Sequence, residues 1–315
     1  KLCPDLILFR RPPARPISLE ESEIMENISG LYSQEETPNK QRDFRKIIRH
    51  HLNVVRHIRD KHSWAKKMPY LYIDAFAGPG RYCGIVGSPI IFLEEVVQSG
   101  IPFRAIAIEI DPDRAEQLRR YSEGLIEVVN GCNLDYLQQF QFHNNQFGLV
   151  YCDPPGAKDS TIPLSFRMMS HVAARANKVD VMVNIAPASH KRTIQLAGYQ
   201  SIDDMKREIN KRQWAIRDMR GKHQWTFLIG TNWVKWADWN SAGFYDCNSE
   251  AGGVLFDQAN LTKDQFKKKV QPHLTGLMQS TSDIQRLELS GRKSLTGLKA
   301  FVSDAVKSAL RRFTI

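Results

Sequence analysis

Apolar positions along the chain follow two rhythms. From Gln41 to about Lys61, Phe44, Ile47, Ile48, Leu52, Val55 and Ile58 recur at helical spacing, and Arg42, Arg45, Lys46, Arg49, Arg56 and Arg59 occupy the places between them. That spacing predicts a basic amphipathic helix. Short apolar runs follow at 70–76 (YLYIDAF), 103–109 (FRAIAIE), 125–129 (LIEVV), 147–152 (FGLVYC) and 179–185 (VDVMVNI), each separated from the next by a helix-like segment. Strands and helices in alternation predict an α/β fold built on a Rossmann-like, doubly wound, mostly parallel sheet. Runs at 225–230 (WTFLIG) and 252–256 (GGVLF) are expected to extend that sheet.

The flanks are different. Residues 1–39 mix Pro4, Pro12, Pro13 and Pro16 with an acidic run and show no sustained period, so they read as an arm. Residues 261–315 read as a basic helical appendage, with eleven Lys and Arg against only four acidic residues. The expected organisation is an arm (1–39), a Rossmann-like domain (40–260) and the helical region (261–315).

Composition narrows the class. The chain has 315 residues, 42% of them hydrophobic, which is enough for a sizeable core. No apolar run approaches the roughly 18 residues of a membrane span, and the first residues lack a secretory pattern, so a cytoplasmic protein is expected. Cys3, Cys83, Cys132, Cys152 and Cys247 are scattered and never form CxxC, which supports neither a disulfide framework nor a metal site. A net charge of +10 makes an anionic partner, nucleic acid above all, the expected one.

In open α/β sheets ligands sit beyond the carboxyl ends of the strands. The first such turn is DAFAGPGRY, in which Gly78 and Gly80 let backbone approach a ligand closely. A dinucleotide fold would start a helix directly on these glycines to receive pyrophosphate. Here the loop runs on through RYCGIVG to Ser88 and Pro89, a good helix start, so the phosphate cradle is missing. Asp74 and Phe76 open the loop. The second strand ends in AIEID, placing Glu109 to accept ribose hydroxyls, with Asp111 as its competitor. The third leads to NGCNLD, where Asn130 to Asn133, including Cys132, can flank an adenine ring. In this order the signals favour S-adenosylmethionine over a nicotinamide cofactor.

The fourth strand ends in YCDPPG, residues 151–156. An exocyclic nucleobase amine is a poor nucleophile because its lone pair is delocalised into the ring. A carboxylate (Asp153) and a carbonyl held by a rigid ring (Pro154, followed by Pro155) can accept its two hydrogens and aim the lone pair at a methyl group. Amino methyltransferases place an aromatic residue fourth in this motif to stack on the base. This chain has Gly156 there, leaving Phe76, Tyr82 or Phe166 for that task. The simpler alternative is that Asp153 caps a helix and the prolines shape a loop.

The basic helix, YLYIDAFAGPGRY, GSPIIFLEE, FRAIAIEIDPDRAEQLRR and YCDPPG together resemble the three-Cys-motif partner proteins, a methyltransferase-like family of the class I α/β type often found on mobile elements. The resemblance spans roughly residues 40–160. It implies cofactor binding by Asp74, Gly78, Gly80 and Glu109, makes Asp153 the reaction-site residue, and implies a protein partner that carries the cysteines of the family's name. Cys152 beside Asp153 invites comparison with a nucleophilic cysteine, but an inert strand cysteine fits better.

Further cations suggest contacts to a substrate. His190, Lys191 and Arg192 follow the fifth strand in NIAPASHKR and can reach a phosphate flanking the target; a solvated loop is the alternative. Residues 205–225 interleave Lys206, Arg207, Lys211, Arg212, Arg217, Arg220 and Lys222 with Trp214 and Trp225, as on surfaces where rings stack between cations. A helix with a buried tryptophan is the alternative. Trp233, Trp236 and Trp239 read as core packing. The expectation is an S-adenosylmethionine-dependent methyltransferase acting on an amino group of DNA or RNA. Its rivals are a non-catalytic nucleic-acid-binding protein of the same fold and another nucleotide-modifying transferase.

Overall fold

The computed structural model describes residues 37–154, 161–185, 201–218, 225–233 and 239–260, with the side chains of 161–167 and Met205 excepted. The expected arm up to residue 36 and the expected helical region 261–315 lie outside them. The chain divides into two compact units at Gly156/Ala157.

The first unit opens with the expected helix, α1 (Thr37–Lys61), followed by the short α2 (Ser63–Lys67). Phe44, Ile47, Ile48, Leu52 and Val55 are buried along one face of α1. Strands β1 (Tyr70–Asp74), β4 (Phe103–Glu109), β5 (Glu127–Asn130) and β6 (Phe147–Cys152) form a sheet in the order β5-β4-β1-β6, every pair parallel. All five residues of β1 and all six of β6 are buried, so these strands are continuous apolar runs rather than alternating ones. Between β1 and β4 come a two-residue hairpin, β2 (Arg81–Tyr82) and β3 (Ile85–Val86), and helix α3 (Ser88–Ser99). Helix α4 (Pro112–Ser122) joins β4 to β5, and α5 (Asn133–Gln139) precedes β6. From β1 the chain winds outward to β4 and β5, then returns to the other side of β1 for β6. The order therefore reverses at the β1/β6 junction, where open α/β sheets bind ligands.

Several sequence features explain these boundaries. Pro89 and Pro112 occupy first-turn positions, where a missing N–H costs nothing, and Gly100 closes α3 at φ 67°. The hairpin turns through Cys83 (φ 47°) and Gly84 (φ 76°), two consecutive left-handed residues, as a two-residue hairpin turn of this twist requires. Tyr72 stacks on Phe92 with centroids 4.0 Å apart, tying β1 to α3.

The basic face of α1 is largely committed within the unit. Arg45 bonds Glu94 and Glu95, and Arg49 grips both oxygens of Glu95 at 2.9 Å. Glu95 is only 3% exposed. Burial pushes its pKa up, but the two arginines outweigh that and hold it below the ordinary value. Arg59 donates to the carbonyls of Ala65, Lys66 and Met68. The helix serves first as a structural clamp on α3.

In the second unit, α6 (Thr161–Arg175) leads into β7 (Lys178–Ile185); α7 (Ile202–Ile209), β8 (Gln213–Arg217), β9 (Thr226–Thr231), β10 (Phe244–Asp246) and α8 (Glu250–Asn260) follow. Its strands run β10-β8-β9-β7, each pair antiparallel. The α/β class and the parallel Rossmann-like sheet are as expected. Segment 252–256 is not a strand: Ser249 Oγ accepts from the Gly252 N–H and starts α8, and a Cβ at Gly252 would meet Asp246 O at 1.8 Å. The two glycines mark a helix pressed against backbone rather than an extended run.

The proposed stacking surface at 205–225 is also corrected. Trp214 lies in β8 over Gly230, where an added Cβ would sit 2.8 Å from the ring, and Trp225 and Trp239 are buried as well. Lys211 is buried and donates to Ala176 O and Val179 O, and burial lowers its pKa to about 8. Lys206 lies over the Phe256 ring, Arg207 pairs with Asp204, and Arg217 is buried. Arg220, Lys222 and Trp236 lie outside the described residues. Among the described residues no helix is long and apolar enough to cross a membrane, and no cluster of His, Cys, Asp and Glu could hold a metal.

Candidate active site

Three adjacent strands, β4, β1 and β6, end in a carboxylate at or just past their last residue: Glu109, Asp74 and Asp153. The registers Asp74↔Ala107 and Asp74↔Tyr151 make both flanking strands reach further than β1. The glycine loop lies in the gap between them. The Ala75 N–H donates to Tyr151 O on one side, and the Ala77 N–H to Ile108 O on the other.

Asp74 is fully buried. Its carboxylate accepts from the Tyr72 hydroxyl at 2.9 Å, from the Phe76 N–H at 3.2 Å and from Ser88. Burial nevertheless raises its pKa to about 6, and the charge of Asp153 adds to that. The residue anchors the loop and the start of α3. Phe76 is half-buried beside it.

Glu109 is nearly buried and takes one N–H on each oxygen, from Gly78 at 2.8 Å and from Asp111 at 2.9 Å. A carboxylate has about four lone-pair positions, so each oxygen retains acceptor capacity. Gly78 (φ 64°) and Gly80 (φ 78°) are both left-handed, and a Cβ at Gly80 would meet Leu118 Cδ1 at 2.7 Å. Asp111 is committed elsewhere: its carboxylate caps α4 through the N–H groups of Asp113 and Arg114, both at 3.0 Å. Between the two acids, Ile110 is 73% exposed at the strand end. Apolar surface there suits a flat ring, and an isoleucine following a strand gave no sequence signal of its own.

The NGCNLD segment braces the same rim. Asn130 donates to Glu109 O and Ile110 O, both at 3.0 Å, and Asn133 donates to Ala75 O at 2.9 Å. Cys132 is exposed at the start of α5. These residues fix the backbone around Glu109 and the loop.

On β6, Tyr151 is bonded to Asp153, repeating the Tyr72–Asp74 pairing two residues apart on the neighbouring strand. Burial and the nearby carboxylates raise both phenols well above their ordinary pKa, so both remain donors. Asp153 also forms a 2.6 Å ion pair with Lys40 of α1. No local pattern around Asp153 signals this partner, which is 113 residues away. Pro154 is half-buried. Pro155, Gly156, His190, Lys191 and Arg192 lie outside the described residues, as does the side chain of Phe166. Tyr82 is half-buried in the hairpin.

The rim lies beyond the carboxyl ends of β4, β1 and β6. It presents carboxylates and an exposed apolar side chain. The hairpin returns the start of α3 to the loop: the Gly87 N–H donates to Gly80 O at 2.7 Å, and Ser88 bonds the Asp74 carboxylate.

No family model matches the chain, and no curated protein matches it in sequence. Solved structures resemble it in part. A Legionella pneumophila protein, LPL1258, is 12% identical with TM-score 0.46, covering 63% of this chain and 88% of that one. The N-terminal domain of human METTL16 is 14% identical with TM-score 0.40, covering 58% and 68%. A methyltransferase from Geobacter sulfurreducens is 14% identical with TM-score 0.39, covering 70% and 89%.

Proposed function

We propose that the protein is an S-adenosylmethionine-dependent methyltransferase acting on an exocyclic amino group of nucleic acid. The observation that carries this reading is the row of three carboxylates at the ends of adjacent parallel strands, with a glycine loop lying among them. Glu109 would hold the ribose hydroxyls, Gly78 would let the loop backbone approach the ligand, Gly80 would seat that loop against Leu118, and Ile110 would offer apolar surface to the adenine. When bound, S-adenosylmethionine supplies a methyl group activated by its sulfonium. Asp153 and the Pro154 carbonyl would each accept an amine hydrogen, freeing the nitrogen lone pair to form the new N–C bond as the methyl–sulfur bond breaks and its electron pair stays on the departing thioether, S-adenosylhomocysteine; one amine proton would then be lost to water. Positioning is then the main contribution of the chain.

The test is radiolabelled methyl transfer to single-stranded DNA, duplex DNA and RNA by the wild type, Asp153→Ala and Asp153→Asn. Asp153→Ala should abolish transfer with cofactor affinity nearly intact, and Asp153→Asn should retain a partial rate because it keeps a carbonyl acceptor. A wild type inactive on every substrate overturns the reading. The second reading, a non-catalytic nucleic-acid-binding protein of this fold, is favoured by one observation: Asp153 is already paired with Lys40.

A further inference from the structure

The Lys40 ammonium and an acceptor amine are chemically alike: each offers N–H groups to a carboxylate. Lys40 Nζ lies 2.6 Å from Asp153 Oδ2, and the two side chains are only 22% and 15% exposed. This is not an ordinary position for a lysine. Lys40 sits in the first turn of α1, where the positive end of the helix disfavours a cation and no acidic residue of that turn offsets it. One turn further on, Phe44 packs against Tyr151 with ring centroids 4.5 Å apart, holding α1 against β6 and Lys40 over the carboxylate.

With Lys40 on Oδ2 and Tyr151 bonded to the same group, an acceptor amine has to share the Asp153 carboxylate with a cation. Methyl transfer also makes the acceptor nitrogen cationic, and an ammonium at the same carboxylate opposes that charge. Lys40 therefore has to leave for transfer to proceed. A lysine withdrawn from a mostly buried pair loses its counter-ion, and leaving a charge unpaired is costly. A nucleotide brings an anion with its amine, namely its own phosphate. A free nucleoside or a protein lysine does not.

Resting on the methyltransferase reading above, we infer that Lys40 determines substrate class: it occupies the amine position at Asp153 in the free protein and transfers to a phosphate of the incoming nucleotide. The site thereby opens to phosphate-bearing amines and stays closed to nucleosides and protein amines. Lys40 acts as a positioning residue, exchanging one anionic partner for another.

The test is calorimetry on the full chain with S-adenosylhomocysteine titrated first. Deoxyadenosine, deoxycytidine, their 5′-monophosphates and a lysine amide follow, whether or not the first ligand binds. The wild type should bind a monophosphate at least about tenfold more tightly than its nucleoside, the size of a lost charge-assisted contact. Lys40→Met should bind the nucleosides more tightly than the wild type does and lose the phosphate preference. Lys40→Arg, which keeps the charge, should retain it and serves as the test if Lys40→Met does not fold. Phosphate preference persisting in Lys40→Met overturns the proposal. So do absence of that preference in the wild type or in Lys40→Arg, wild-type binding of the lysine amide, and failure of every variant to bind any of these compounds. Failure to bind S-adenosylhomocysteine counts instead against the cofactor assignment, so the two failures are distinguishable.

Discussion

The backbone N–H of Gly78 donates to Glu109 Oε2 at 2.8 Å, so the acid at the end of β4 is itself a fastening of the glycine loop that follows β1. A residue with one role toward the loop and another toward a ligand shows both when substituted. Glu109→Ala should weaken S-adenosylmethionine binding by about 1.5–3 kcal/mol, the range for hydrogen bonds to a charged group. Faster amide exchange at Gly78 and Asp111 should accompany it. Equal binding by mutant and wild type in calorimetry would remove Glu109 from the site.

Asp74 makes stability depend on pH. Its carboxyl is raised from 3.8 to about 6 in the folded protein. A raised acid favours folding while protonated, so its contribution is fully present below about pH 4 and is lost as pH rises to about 6. The lost amount is roughly 3 kcal/mol. Asp74→Asn keeps a carbonyl acceptor without the charge. The stability difference between the mutant and wild type should therefore move in the mutant's favour between pH 4 and 6 and stay flat above, as read by urea unfolding. A difference independent of pH would show that Asp74 does not titrate in this window.

Arg49 separates structural charge from nucleic-acid-binding charge. Both its bonds go to Glu95, so Arg49→Ala should cost about 1 kcal/mol, since the arginine itself is largely exposed. The slope of log affinity for nucleic acid against log salt should not change. A slope flattened by about one charge would put Arg49 on a phosphate instead.

Gly148 tests the β1–β6 pairing on which the proposed amine site depends. A Cβ there would meet Leu71 O at 1.9 Å, a backbone atom that cannot move aside without breaking the ladder. Gly148→Ala should cost about 3 kcal/mol or more. A melting temperature equal to that of the wild type would mean that β6 is not seated against β1 as described.

What the sequence made legible follows from which interactions are local. Strands β1, β4 and β6 were readable because burial on both faces writes a continuous apolar run, and α1 because one buried face writes a helical period. Segment 252–256 misled because Gly-Gly before apolar residues looks extended, whereas Ser249 two residues before Ala251 was the helix signal to weigh. Strand β8 was hidden among cations, some of which proved to be buried or paired. At the site, the order of Gly78, Gly80, Glu109 and Asp153 was readable from the turns after successive strands. Lys40 was not, because its partner is brought to it by the packing of Phe44 on Tyr151.

The glycine loop is tied to both neighbouring strands, through Ala75 to Tyr151, Ala77 to Ile108 and Gly78 to Glu109. Ordering a backbone residue costs on the order of 1–2 kcal/mol, and for this loop that cost falls on folding rather than on binding. For a ligand bound at the rim as proposed, affinity would then be set by contacts and desolvation, with little entropy lost to closing a flexible loop. A substitution that loosens β6 without touching any ligand would shift that ordering cost onto the binding step and weaken affinity from a distance.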